Sequence, residues 1–342
     1  GGETIVYRGI EANPTTTQIQ AGIDLAKAEG CDVVLAVGGG SAMDAAKIIA
    51  AGVKYDGKPW DMIFARHDEV TARPPEDALP IITVPTLPAT SSEMNCGAVL
   101  TNAETHEKSY VFADCMYPKI AVMDPELTLS LPDWQTACGC ADAISHVMEI
   151  YMGAPDDTPL QDEMMDGVIR TLADCGLRLK EDRTDLSART TIMWAAGVAW
   201  NGWLNAGCNC FGTMHQFAHP LSARFNTTHG ATLSIVMPTY MRYCLAQGKR
   251  IERLVGFALD VWGVDPNGMT DEDIAAAGID LFEAFLKELG CPTNLTDGKI
   301  PLDAIDDLVN DVKTISLTAE GKLIDRPYFT ADDIKPIYEA MK

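Results

Sequence analysis

The chain has 342 residues, with 49 acidic against 26 basic side chains and a net charge of -23. Such a field repels nucleic acid and anionic membrane surfaces, no Lys/Arg-rich block interrupts it, and no apolar run is long enough to span a bilayer. The length suits two domains, and ten cysteines scattered through so large a chain read as the reduced thiols of a cytoplasmic protein.

The chain opens Gly1-Gly2-Glu3 without an initiator Met, and Thr4 to Tyr7 already reads as a strand, so a preceding segment is expected. Thr15 to Glu29 has the helical spacing Ile19, Ile23, Ala26. Asp32 to Val37 is a continuous apolar run, the kind buried on both faces of a parallel sheet. It enters Gly38-Gly39-Gly40-Ser41 and then a helix from Ser41 to Ala51. Leu79 to Val84 predicts a second strand, Val99 to Thr101 with Ser109 to Phe112 a hairpin, and Ile120 to Met123 a last strand. This alternation is that of a nucleotide-binding, Rossmann-like parallel sheet. After Leu131-Pro132-Asp133 the pattern turns helical, over about 134–152, 161–180, 187–205, 230–246, 249–262 and 271–289. Thr270 with Asp273 and Thr330 with Asp333 form capping-box patterns. The expected organisation is an α/β dinucleotide-binding domain over 1–130, truncated at its start, and an all-α domain over 131–342.

Gly38 to Ser41 lets a pyrophosphate approach a helix N-terminus, where unpaired N–H groups and the positive dipole end favour an anion. Ser41 is placed to cap that helix, with Asp44 three residues on completing a capping box. The motif is neither GxGxxG nor a P-loop, and a plain strand-to-helix turn is the bland alternative. The loop Pro85 to Asn95 follows the next strand at its C-terminal end, where open α/β sheets bind ligands, and is rich in hydroxyls suited to a phosphate, ribose or carboxamide.

Asp142 and His146, at i and i+4, project from one helix face, and His215, His219 and His229 fall within fifteen residues. A carboxylate with several imidazoles suits a divalent transition metal. Any one of these histidines alone would more often be a core residue, but burying four such groups among Ile144, Val147, Ile150, Met214, Phe217 and Leu221 without a joint purpose is expensive. His219 precedes Pro220, which disfavours continued helix, and one of His215 and His219 is free to ligate while the other faces a substrate. Cys138/Cys140 and Cys208/Cys210 offer a weaker sulfur site, since Cys-x-Cys in a helix turns the two sulfurs apart. His67 and His106 read as solvated, and Trp194, Trp200 and Trp203 as core, one of them placed to wall a cleft.

Three motifs, Gly-Gly-Gly-Ser-x-x-Asp-x-x-Lys at 38–47, Pro-Ala-Thr-x-Ser-Glu at 88–93 and the histidine segment 215–229, resemble the iron-containing (group III) alcohol dehydrogenases, within them the butanol dehydrogenase and aldehyde reductase branch. The resemblance runs from Gly9 essentially to the C-terminus. It implies a dehydroquinate synthase-like architecture, NAD(P)H, one divalent metal (Fe2+ or Zn2+) in the cleft between the domains, a small alcohol or aldehyde substrate and a homodimer. By motif, the implied metal ligands are Asp142, His146, His215 and His229, and His219 is the unligated histidine beside the nicotinamide. Gly39, Gly40 and Ser41 match the pyrophosphate turn, Asp44 the carboxylate after it, Thr86, Leu87 and Thr90 the nicotinamide-side loop and Lys108 the ribose-side lysine. Two departures stand out: Ser91 replaces the family's usual glycine, and the family's first strand and glycine turn precede Gly1. A dehydroquinate-synthase-like lyase and a metal-dependent hydrolase are the rival readings. The lyase needs a basic cluster for which only Arg224 is a candidate, and the hydrolase leaves Gly38 to Ser41 unexplained.

Overall fold

The computed structural model describes residues 2–63, 73–102, 104–105 and 107–342; His67 and His106 lie outside them. Helix α1 (Thr16–Ala28) starts at Thr15, whose hydroxyl accepts from the Gln18 N–H while the Gln18 side chain accepts from the Thr15 N–H. Strand β1 (Val34–Gly38) leads into α2 (Gly40–Lys54), then β2 (Ile81–Pro85), β3 (Gly97–Asn102), β4 (Glu107–Phe112) and β5 (Ile120–Ala121). The parallel sheet has the order β1-β2-β5, and β3-β4 is a separate antiparallel hairpin. Gly38 pairs with Pro85, so the glycine turn and the hydroxyl-rich loop leave the sheet side by side at its C-terminal edge.

Two expectations for this half are corrected. Residues 4–7 form no strand; the Tyr7 hydroxyl instead donates to the Gln18 carbonyl on α1. β-type side chains without a neighbouring strand to complete the ladder do not hold a strand by themselves. Nor is β1 buried on both faces: Leu35 is 57% and Val37 61% exposed, and Ile120 and Val122 continue that face. The helices cover the other face, where Ala36 packs with Met43 and Ala46 of α2.

From Asp133 onward the chain is helical: α3 (Asp133–Gly153), α4 (Pro159–Glu181), α5 (Leu186–Ala199), α6 (Thr213–Phe225), α7 (His229–Ala246), α8 (Ile251–Gly256), α9 (Asp271–Leu289), α10 (Ile305–Ile315) and α11 (Ala331–Ala340). Both expected capping boxes are present, at Thr270/Asp273 and Thr330/Asp333. Helix α3 is buried continuously from Ala137 to Gly153. A helix apolar nearly all round belongs at the centre of its layer, which is where α3 sits, packed by α4, α5 and α7. Gly230 makes the close crossing possible: a Cβ there would lie 1.9 Å from the Cys138 carbonyl oxygen. The buried apolar residues form one large cluster drawn from 137–341 and a smaller one from 19–116.

Helix α5 stops at Ala199, short of the expected 205, because Trp200 leaves helical geometry (φ -141°, ψ 33°) and Gly202 takes φ 97°. That break exposes Trp203, while Trp194 projects outward from α5 itself; both are more than half exposed and are not core. Conversely α6 runs through Pro220, although proline removes one helical bond. Met214, Phe217 and Leu221 are fully buried around it, and the Tyr338 hydroxyl donates to the Phe217 carbonyl at 2.7 Å.

Candidate metal centre and cofactor cleft

A cleft with room for about 140 Å³ of solvent opens between the sheet's C-terminal edge, the β3-β4 hairpin and helices α3, α6 and α7. Its floor is built from α3, which brings Asp142 and His146 to one face one turn apart. Helix α6 contributes His215 and His219, and α7 begins at His229. Ligand atoms of Asp142, His146 and His215 all lie within 4.8 Å of one another. Nε2 of His229 is 3.7 Å from Oδ1 of Asp142. The ring centroids are 4.9 Å apart for His146–His215, 5.2 Å for His215–His229 and 5.5 Å for His219–His229. Four of the six histidines thus meet in one place; His219 stands outside the tightest group, edge-on to His215 at 5.9 Å.

The chemistry of the donor set fits a cation. Oδ1 of Asp142, Nδ1 of His146, Nε2 of His215, Nε2 of His219 and Nδ1 of His229 are all buried with no hydrogen-bond partner among the described residues. Leaving one such atom unpaired costs roughly 1–3 kcal/mol, and Asp142, His146 and His215, which each carry one, offer ligand atoms within 4.8 Å of one another, so a shared partner is called for there. Burial also sets their protonation. It pushes the Asp142 carboxyl up to about 7 against the opposing pull of Lys108, and holds His215 down at about 3. Burial likewise holds His146, His219 and His229 well below the ordinary imidazole value, helped for the last two by the nearby Lys108 charge. Neutral imidazoles are ligands and acceptors, whereas imidazoliums would be neither. No cysteine joins this group, and Cys208 and Cys210 lie outside any helix, so the sulfur alternative finds no geometric support among the described residues.

One contact was not legible in the sequence. Glu149, a turn beyond His146 on α3, is buried, and its Oε1 accepts the His215 N–H at 2.6 Å while lying 2.8 Å from Nδ1 of the same ring. Its Oε2 accepts the Met214 N–H at 3.0 Å. Burial raises this carboxyl to about 8. The spacing Asp142, His146, Glu149 on one helix face is the signal that could have singled it out.

On the other wall, α2 begins at Gly39 with no side-chain cap. Ser41 and Asp44 therefore do not form the expected capping box. Asp44 instead accepts from Ser92 Oγ at 2.7 Å and from the Val99 N–H at 3.0 Å, a buried strut between α2, the loop and β3. Lys47, fully buried, donates to Asn95 Oδ1 and the Gly97 carbonyl and latches the same loop. No side chain caps the first turn of α2, and Ser41 lines the cleft, which leaves that helix end open to an anion. A Cβ on Gly40 would lie 2.3 Å from Thr90 Cγ2, so glycine is what lets the turn and the loop meet. Thr86 is bonded to the Gly38 carbonyl, and Leu87 packs beside Gly39. Ser91 adopts φ 56°, the left-handed region that favours glycine, and its hydroxyl donates to the Gly197 carbonyl on α5. Lys108, on β4, donates to Asn13 Oδ1 at 2.9 Å, and burial brings it down to about 8. Trp200 closes the cleft beside His146 at 5.5 Å, with Phe211 and Phe112 completing an apolar mouth.

The chain is similar to known proteins in both sequence and fold. A family model described as iron-containing alcohol dehydrogenase matches residues 1–125, and one described as Fe-containing alcohol dehydrogenase family, C-terminal, matches 136–341. The chain is 41% identical over 304 residues to probable NADH-dependent butanol dehydrogenase 2 of Bacillus subtilis, covering 89% of this chain and 76% of that protein. It is 33% identical to the NADPH-dependent aldehyde reductase YqhD of Escherichia coli, over 100% of this chain and 86% of that one. The crystal structure of NADH-dependent butanol dehydrogenase A from Thermotoga maritima superposes with a TM-score of 0.89 at 35% identity, covering 97% of this chain and 82% of its own.

Proposed function

Because the chain belongs to the iron-containing alcohol dehydrogenase family and is an NAD(P)-dependent alcohol dehydrogenase or aldehyde reductase, we propose that it interconverts a short primary alcohol of butanol's size with its aldehyde at Asp142, His146, His215 and His229. The observation that carries the site is that Asp142, His146 and His215, each with an unpartnered buried donor atom, offer ligand atoms within 4.8 Å of one another, with His229 Nε2 3.7 Å from Asp142 Oδ1. Asp142, His146, His215 and His229 would hold a divalent cation of the iron type, with Zn2+ the alternative, which when bound would supply Lewis acidity, as a bound nicotinamide would supply hydride chemistry. The chain's own residues do the rest. Asp142 and three neutral imidazoles offer the donor set; the first-turn amides at Gly39, Gly40 and Ser41 receive the pyrophosphate. Thr86, Leu87 and Thr90 line the nicotinamide side and Lys108 the ribose side, with Asp44 and Lys47 holding that loop in place. His219, its Nε2 free, accepts the hydroxyl proton in oxidation and returns it in reduction. Trp200, Phe211 and Phe112 exclude water and receive an unbranched alkyl chain.

In this reading residues 1–130 hold the dinucleotide and 131–342 the metal, with the substrate between. Butanol itself is suggested by the relatives' names and by the apolar mouth. A homodimer rests on the family resemblance and is checked by light scattering; a cytoplasmic setting is supported by ten free thiols. The lyase alternative is not favoured: Arg224 is turned away onto Asp311 and Asp307, and Lys108 is the one Lys or Arg lining the cleft among the described residues. The deciding assay follows NADH and NADPH absorbance with butyraldehyde, before and after a chelator. Oxidation of the cofactor that stops on chelation and returns with Fe2+ or Zn2+ is expected; turnover indifferent to the chelator overturns the metal site.

A further inference from the structure

Glu149 belongs to no motif that defines the ligand set, yet among the described residues its carboxylate makes its three hydrogen-bond contacts with His215 and the residue before it. It stands on α3, seven residues after Asp142 and three after His146, inside the most buried helix of the chain. An imidazole that donates through Nδ1 carries its lone pair on Nε2. In His215 Nδ1 meets Glu149 and Nε2 is buried without a partner, and the residue offers a ligand atom within 4.8 Å of those of Asp142 and His146. A second buried carboxylate, Asp325, accepts the N–H groups of Phe211 and Gly212, so the turn entering α6 is gripped from two directions. Of the two, only Glu149 also reaches an imidazole ring.

We propose that Glu149 is a positioning residue of the metal site, which fixes His215 as the Nδ1–H tautomer and aims its Nε2 at Asp142 and His146. This rests on the ligand set proposed above. A residue that merely capped α6 would need the two backbone contacts alone; the 2.8 Å approach to Nδ1 is what goes further. Partners that orient a ligating histidine in this way tune the site nearly as strongly as the ligands themselves.

The test is a Zn2+ titration of the metal-free full chain against a chromophoric chelator. Glu149→Gln keeps the shape but cannot accept from three donors at once, and is expected to weaken Zn2+ binding roughly 10–100-fold. Asp325→Asn loosens the same turn without touching the ring, and is expected to lower the melting temperature while leaving Zn2+ affinity unchanged. Wild-type affinity in Glu149→Gln, or equal losses in both variants, overturns the proposal. A wild-type chain that takes up no Zn2+ defeats the ligand set, and Glu149's role with it. Should Glu149→Gln fail to fold, imidazole nitrogen NMR of the Zn2+-loaded wild type decides instead. A slowly exchanging proton on Nδ1 of His215 is expected; a proton on Nε2 overturns it.

Discussion

Asp142 and the histidines around it are moved in opposite directions by one cause. Burial disfavours whichever form is charged, so it raises the carboxyl to about 7 and holds the imidazoles below their ordinary range. At neutral pH the imidazoles are already unprotonated, and the proton that a cation must displace sits on carboxyl groups. Below a pH of about 7 Asp142 is protonated and competes with the metal, so affinity should fall as pH drops through that value and level off above about 8, past Glu149. Calorimetry in buffers of different ionisation heat should count about one or two protons released near pH 6.5. A count of three or more would mean that the imidazoles titrate normally and are not buried as described. His219 can be separated from its neighbours in the same way. His219→Asn should retain stoichiometric metal and lose roughly 10²–10⁴ in kcat, with a flattened pH–rate profile. Loss of metal in that variant would make His219 a ligand.

At the scale of elements, the site depends on how closely α7 crosses α3. Gly230→Ala puts a methyl group 1.9 Å from the Cys138 carbonyl, a rigid backbone atom, so α7 must retreat. Overpacking of this kind costs about 1–3 kcal/mol, and the retreat carries His229 away from Asp142, which it now faces at 3.7 Å. Both a lower melting temperature and weaker metal binding are expected from Gly230→Ala; a stable variant with unaltered affinity would show that the crossing does not position His229. This explains what the chain disclosed in advance. The Asp142/His146 spacing is local to one helix, and a period of 3.6 residues exposes it. Glu149 meets its partner from a helix that starts sixty-four residues later, so no local pattern reveals the pairing. Strand β1 misled for a related reason: an apolar run states that both faces are suited to burial, and only packing decides whether both are covered. Ser41 looked like a cap because serine usually is one, but here Gly39 takes that position.

Across the whole molecule, charge sets a conflict that the cleft must settle locally. The chain carries -23, yet the dinucleotide it uses is itself anionic. Among the described residues of the cleft, attraction comes from the α2 N-terminus and Lys108, both short-ranged, whereas repulsion comes from the acidic surface as a whole. The Debye length shrinks from about 30 Å at 0.01 M to about 8 Å at 0.15 M, which screens the distant acidic residues far more than contacts inside the cleft. Added salt should therefore speed NADH association over this range, the reverse of a protein with a cationic funnel. The metal cation should behave oppositely, its association slowed by the same salt, since the global field draws it in. Stopped-flow fluorescence with NADH, and Zn2+ uptake followed by an indicator, measure the two rates on one preparation. If salt slows both, the field at the cleft mouth is set by Lys108 and the helix end alone, and the overall acidity plays no part in how the cofactor arrives.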